Sequence, residues 1–427
     1  MVVGTIIGAS IFVQPSVITD QVRSTTVVFL VWATAGILTL FGALVTAELA
    51  SAFPRTGGVY VFLKQAFKPV LGFLWGWAMF WSMHSGIIAA IAVVFARYVG
   101  HFAPLSDLGV RAVAIAGIAA LSWINYVGVR QGSIVQTAFT IVKVVAVLII
   151  IIVGFAFGSA STGPATVGEG AGIQGVSIQD FALALIAGLF AFGGWHMVTY
   201  AAEETLQPER TIPRALLIGT AVVTVSYIAL NAVYFHVLPI DTVASSTRVA
   251  ADAAAAVVGR SGAAVVSGLV IFSTFGALSG IVLAGPRVYF SMARDGLLFR
   301  WLGEIHPKYR TPHRAIIIQA LWSSVLVLTG TYRTLFTRVI YTEWIFFGLM
   351  AVGLLLLRRR PNYSPSYKVW GFPLIPAVFA ISSAVIVLNQ IVSDPIESAA
   401  GLFLVALGLP VYYLWTGRHD TKGAAAA

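Results

Sequence analysis

Long stretches with almost no charged residue recur along the whole chain, and their length limits the fold more than any other feature. Apolar runs fall at 2–19, 25–50, 70–99, 108–128, 131–158, 177–200, 213–238, 262–290, 314–331, 335–357, 373–393 and 396–416. A helix needs about 20 mostly apolar residues to cross the hydrocarbon core of a bilayer, and each run meets or approaches that length. Charged residues make up 10% of the 427 positions and hydrophobic ones 59%, against about 25% charged in soluble domains. A water-soluble globule of this composition could not cover its own surface. The expected fold is therefore an all-α polytopic membrane protein of about twelve transmembrane spans, with the lipid bilayer as its solvent.

Charge placement tests that count. With twelve spans the connecting links alternate between sides. The links after spans 2, 4, 6, 8 and 10, plus the C-terminal end, hold 18 of the 26 Lys and Arg residues. The opposite side holds seven, and Lys143 lies inside span 5. Excess cations mark cytoplasmic loops, so both termini are expected in the cytoplasm, and a miscount by one span would scramble the bias. The net charge of +10 then needs no nucleic acid. The basic stretch from Arg287 to Arg314, interrupted by Asp295 and Glu304, reads as a solvated cytoplasmic loop. Residues 159–174 read as an outer loop and the Ala-rich end from Gly423 as a disordered tail, leaving one transmembrane domain over 1–427. The sequence has no cysteine, so it offers neither a disulfide framework nor a thiolate metal site.

Two runs carry helix-breaking glycine at matching places. Span 1 contains Gly4, Thr5, Ile6, Ile7, Gly8, Ala9 and Ser10, and span 6 contains Phe190, Ala191, Phe192, Gly193, Gly194 and Trp195. Broken helices persist in a bilayer only where they line a cavity or pack in protein. Spans 1 and 6 would open two five-helix halves, and paired interruptions of that kind point to an inverted-repeat transporter with a midplane site. Free amides at a break hold a carboxylate and free carbonyls an ammonium, which together suit a zwitterionic amino acid. The alternative is that these glycines only allow close helix packing.

Four segments extend this reading: GTIIGASIF at 4–12, AELASAFPRTGGVYVFL at 47–63, FAFGGWHMVTYAAEETLQPERTIPRA at 190–215 and GPRVYFSMARDGLL at 285–298. With them the chain resembles the amino acid-polyamine-organocation transporter superfamily, nearest its L-type amino acid transporter branch. The resemblance implies a LeuT-like 5+5 inverted repeat, with halves at 1–158 and 177–357, two further helices at 373–416 and a cytoplasmic tail at 417–427. It implies that the amides of Gly8, Ala9 and Ser10 bind the substrate carboxylate, and that carbonyls near Ile6, Phe190 and Ala191 bind its ammonium. It further implies that Gly193 keeps the span 6 break open and that Phe190 closes over the substrate as an outer gate. Ser10, Ala9 and His196 depart from the family's commonest residues, which bears on pocket size and side-chain preference. Members also carry residues before the first motif, so span 1 is expected to be short or truncated here.

Ionisable residues inside spans are functional candidates, because a midplane Lys costs about 2.5–3.5 kcal/mol to insert. Lys143 is such a residue. The resemblance implies that its ammonium lies near spans 1 and 8, where sodium-coupled relatives of the fold hold sodium, which leaves protons or conformational control as coupling agents; a purely structural cap on span 1 carbonyls is the alternative. Glu48, Glu203 and Glu204 are expected to form cytoplasmic ion pairs or caps, the last two near Arg210 and Arg214. His84, His196 and Glu343 are candidate pathway residues, each also readable as packing. No carboxylate falls at the two breaks, which favours neutral over cationic substrates. No metal ligand cluster and no nucleophile and base pair appear within the spans, so neither catalysis nor a cofactor or metal is expected. The expectation is an alternating-access exchanger or proton symporter for neutral L-amino acids in a plasma membrane, of the bacterial inner kind, acting as monomer or noncovalent oligomer without a disulfide-linked heavy subunit. A cationic amino acid or polyamine carrier using Glu343, and a non-transporting substrate sensor, are the alternatives.

Overall fold

The computed structural model describes residues 1–8, 10–100, 102–158, 175–330 and 332–424. All regular structure among them is helical. Span 1 is broken into α1 (Val2–Ile6), a 3-10 turn (Ser10–Phe12) and α2 (Gln14–Val22). Span 2 is α3 (Thr25–Ala52), and the short α4 (Val59–Ala66) lies in the link that follows. Span 3 joins α5 (Pro69–Ala78) to α6 (His84–Val99) through a π-helical turn at Met79–Met83. Spans 4 and 5 are α7 (Asp107–Val127) and α8 (Val129–Phe157). Span 6 is α9 (Ile178–Ala191) followed by a 3-10 segment (Trp195–Glu204), and span 7 is α10 (Pro208–Val237).

A short α11 (Ile240–Ser245) precedes α12 (Val249–Arg294), which bends at Gly259 (φ +72°) before entering span 8. Spans 9 to 11 are α13 (His313–Thr329), α14 (Tyr332–Leu357) and α15 (Leu374–Ser393). Span 12 begins as α16 (Pro395–Ala406) and continues as α17 (Gly408–Ala424). That last helix runs past the apolar region to Ala424, so the end from Gly423, expected as a disordered tail, is helical as far as the described residues go. The expected outer loop at 159–174 lies outside the described residues, as does Ala9.

Among the described residues nine helices are long and apolar enough to cross a membrane, and shorter apolar helices at 313–329 and 341–357 accompany them. Their starts follow local chemistry. Ser24 and Ser106 cap α3 and α7 with their hydroxyl oxygens, Ser177 and Asp180 form a capping box on α9, and proline opens α5, α10 and α16, where its missing N–H has no helical partner to lose. The outer surface is apolar in helical register: Ile141, Val145, Leu148 and Ile152 of α8 are all exposed, the stripe expected of a lipid-facing helix. Inside, α10 packs on α3, α12 on α6 and α8, and α2 on α9.

Polar contacts sort onto two ends of the bundle in the alternation read from charge. At one end, links after spans 2, 6, 8 and 10 meet. Arg287 makes a two-pronged pair with Glu204 (3.0 and 2.7 Å), Lys64 reaches Asp295 at 2.7 Å, the Tyr60 hydroxyl donates to Asp295 at 2.5 Å, and Arg294 approaches Glu203 at 3.6 Å. Buried Glu48 accepts from Arg358 at 2.7 and 2.6 Å and from the Val369 amide at 2.6 Å. At the other end Arg23 pairs with Asp241 at 3.3 Å, and Gln21 donates to Asp180 at 3.3 Å. Glu203 and Glu204 thus pair with Arg294 and Arg287 rather than with Arg210 and Arg214. The reason is geometric: the chain turns at Gln207, in the left-handed region (φ +47°), and α10 leads away, so the two carboxylates face α12.

Candidate substrate site

The two broken spans meet in the middle of the bundle. Helix α1 ends at Ile6, Ile7 and Gly8 are non-helical, and a 3-10 turn begins at Ser10. The amides of Gly8 and Ser10 donate to no partner among the described residues. Helix α9 ends at Ala191, and Gly194 takes φ +94°, a left-handed conformation that a side chain would strain. A Cβ on Gly194 would also lie 3.3 Å from the Thr5 Cβ. The breaks are stitched together here, since the Thr5 hydroxyl lies 3.1 Å from the Gly194 carbonyl oxygen.

Three carbonyls exposed by the breaks face this junction. The Tyr227 hydroxyl of α10 lies 2.9 Å from the Ile6 oxygen and 3.0 Å from that of Ala191, and so bridges the two spans. The Phe190 oxygen accepts from the Gly193 amide at 2.9 Å. A carbonyl has two lone pairs, so those of Ile6 and Ala191 keep capacity for one more donor. On the far side of span 1, buried Lys143 donates from Nζ to the oxygens of Gly4 and Ile7, both at 2.7 Å. The ammonium thereby satisfies two carbonyls that the break strips of helical partners.

Between these elements lies a central cavity of about 30 Å³. Of the residues expected at the site, Ile6, Gly8, Ser10, Phe190, Gly193, His196 and Glu343 line it, joined by Thr5, Trp195, Trp344, Phe347 and the aliphatic wall Ile87, Ile91 and Ile281. Ala191 contributes only its carbonyl through Tyr227, and Lys143 stands behind the span 1 break. His84 also stands behind the wall, its Nε2 within 2.8 Å of the Ile281 carbonyl. Tyr227 is the contact that sequence reasoning missed. It lies 221 residues from Ile6, within an apolar run that gives no local signal for it. Among the described residues no group of three or more metal-ligating side chains exists.

A sequence model of the family described as amino acid permease matches residues 1–412 of this chain. The chain belongs to the amino acid permease family. It is accordingly a multi-pass membrane transporter rather than an enzyme. The permease is 30% identical over 417 residues to the serine/threonine exchanger SteT of Bacillus subtilis, covering 97% of this chain and 94% of that protein. It is 29% identical over 429 residues to the human cystine/glutamate transporter, covering 97% and 83%. With the mouse large neutral amino acids transporter small subunit 2 it shares 31% over 427 residues, covering 97% and 79%.

Proposed function

We propose that this permease moves neutral L-amino acids across a plasma membrane by alternating access. The observation that carries the reading is the pairing of unspent amides at Gly8 and Ser10 with carbonyls of Ile6, Phe190 and Ala191 across one small cavity. Amides there would hold the substrate carboxylate and carbonyls its ammonium, and the Phe190 side chain, at the cavity wall, would gate it. Neighbouring Ala9 is assigned to the carboxylate side by the family resemblance of the 4–12 segment alone. The names of two relatives, a serine/threonine exchanger and a large neutral amino acids transporter, agree with neutral substrates, while a third names cystine and the acidic glutamate.

Lys143 bears on coupling. Its ammonium already occupies carbonyls at the span 1 break, and a fixed cation there repels a second one, so transport would be sodium-independent, by exchange or with protons. The two halves, 1–158 and 177–357, would rock against each other around the site. The cation bias of the links puts both termini in the cytoplasm, with the bacterial inner membrane as the setting. This sequence holds no cysteine, so any heavy partner would have to bind without a disulfide.

Uptake of radiolabelled neutral amino acids into proteoliposomes tests the reading. The vesicles would be loaded with or without unlabelled amino acid, with and without sodium, and with and without a proton gradient. Uptake that needs internal amino acid means exchange, and uptake driven by the gradient means proton symport. Dependence on sodium would overturn the role given to Lys143, and no uptake in any condition would overturn the transport assignment.

A further inference from the structure

Two buried carboxylates show how differently this protein treats its acids. Glu48 is fully buried and fully served, with the Arg358 guanidinium and the Val369 amide donating to it. Glu343 is 7% exposed and has no hydrogen-bond or ion-pair partner among the described residues. Burying a carboxylate without partners in a membrane-embedded bundle is costly. Its position explains what supplies the missing donor, because Glu343 lines the central cavity.

His196 has the same anomaly. It is 1% exposed, and neither ring nitrogen has a hydrogen-bond partner, whereas His84 lies against the Ile281 carbonyl. His196 also lines the cavity, and its ring lies 4.8 Å from that of Phe347, one helical turn after Glu343 on α14. The two orphaned groups therefore look into one space. The substrate's ammonium and carboxylate are accounted for by the two breaks, on the reading proposed above, so these groups are left for the side chain.

We infer that Glu343 and His196 form a side-chain subsite selecting amino acids with a small hydroxyl. A hydroxyl is both donor and acceptor. It can donate to the Glu343 carboxylate and accept from the N–H of neutral His196, so one group satisfies both. An ammonium or guanidinium has no acceptor to offer the histidine. The aliphatic wall of Ile87, Ile91 and Ile281 would receive a methyl group, as threonine carries.

The test rests on the transport reading and uses isosteric pairs. Competition of serine against alanine, and threonine against valine, for uptake of one labelled substrate would be measured in proteoliposomes of the full chain, with lysine and arginine as further competitors. The unmodified protein should prefer each hydroxyl substrate at least about tenfold, the scale of one hydrogen bond to a charged group. Glu343→Ala and Glu343→Gln should bring both ratios toward one, and His196→Phe should lower them. Equal competition by threonine and valine in the unmodified protein would overturn the subsite even if the variants fail to fold. So would stronger competition by lysine or arginine, or variants that weaken all four neutral substrates alike while remaining monodisperse. Absence of uptake for every amino acid would instead defeat the transport reading on which the subsite depends.

Discussion

Replacing Lys143 with methionine removes an ammonium while keeping most of the side chain's volume, and the structure sets what should follow. Two charge-assisted hydrogen bonds, each 2.7 Å, are lost from the oxygens of Gly4 and Ile7. Bonds to charged groups contribute about 1.5–3 kcal/mol each. Against this, a lysine at membrane depth costs about 2.5–3.5 kcal/mol that methionine does not. The balance is a loss of about 0.5–2.5 kcal/mol. For a chain of this length, with unfolding entropy of roughly 2.1 cal/mol/K per residue, that is a drop in Tm of only a few degrees. Transport should suffer far more, because the released carbonyls flank Gly8 and the ammonium is what ties the span 1 break to α8. Uptake should fall more than tenfold while detergent-solubilised protein stays monodisperse. Normal uptake with an unchanged Tm would refute the argument, and collapse of the fold would show that the ammonium is chiefly a structural cap.

Other positions give sharp expectations. Glu48→Ala leaves the Arg358 guanidinium and the Val369 amide without their acceptor, and breaking a buried pair costs about 3–5 kcal/mol, so tryptophan-monitored unfolding should shift down by several degrees. Tyr227→Phe removes the hydroxyl that bridges Ile6 and Ala191 and should raise the KM for uptake about tenfold, the equivalent of one hydrogen bond; an unchanged KM would mean that the bridge does not align the breaks. Gly8→Leu should abolish substrate binding, since even a Cβ there lies 3.0 Å from that of Ala277, and a substrate-induced thermal shift of ordinary size in this variant would count against the site. Gly194→Ala forces φ +94° on a side chain, a strain of about 1–2 kcal/mol, and should lower the Tm measurably.

The spans were legible because the bilayer leaves so little freedom: a run of the required length either crosses or must be hidden. The breaks were legible for the same reason, since glycine at Gly8, Gly193 and Gly194 stands out against apolar runs. Lys143 and Glu343 were visible as charges in the wrong place, but their roles depend on neighbours that lie far along the chain. Nothing near Glu48 announces Arg358, 310 residues later, and nothing near Glu204 favours Arg287 over the nearer Arg210. Pairing across the bundle follows from where the chain turns, as at Gln207, and that is decided by packing. Glu343 was legible only as one pathway candidate beside His84 and His196, because packing decides which of them the cavity reaches, and it reaches Glu343 and His196 but not His84.

The ion pairs that join α4 and the end of span 6 to α12 have a kinetic meaning. Lys64, Asp295, Glu203, Glu204 and Arg294 all keep part of their side chains in water, with 27% to 60% of each exposed. Pairs in that setting contribute at most about 1 kcal/mol each, because water replaces the lost partner as they separate. The Lys64–Asp295 and Arg294–Glu203 pairs would therefore part at little cost, whereas the Arg287–Glu204 pair, with a guanidinium only 4% exposed, would hold harder. The clasp between Glu48 and Arg358 is of another kind, its carboxylate fully buried between α3 and the end of α14, and it would part far less readily.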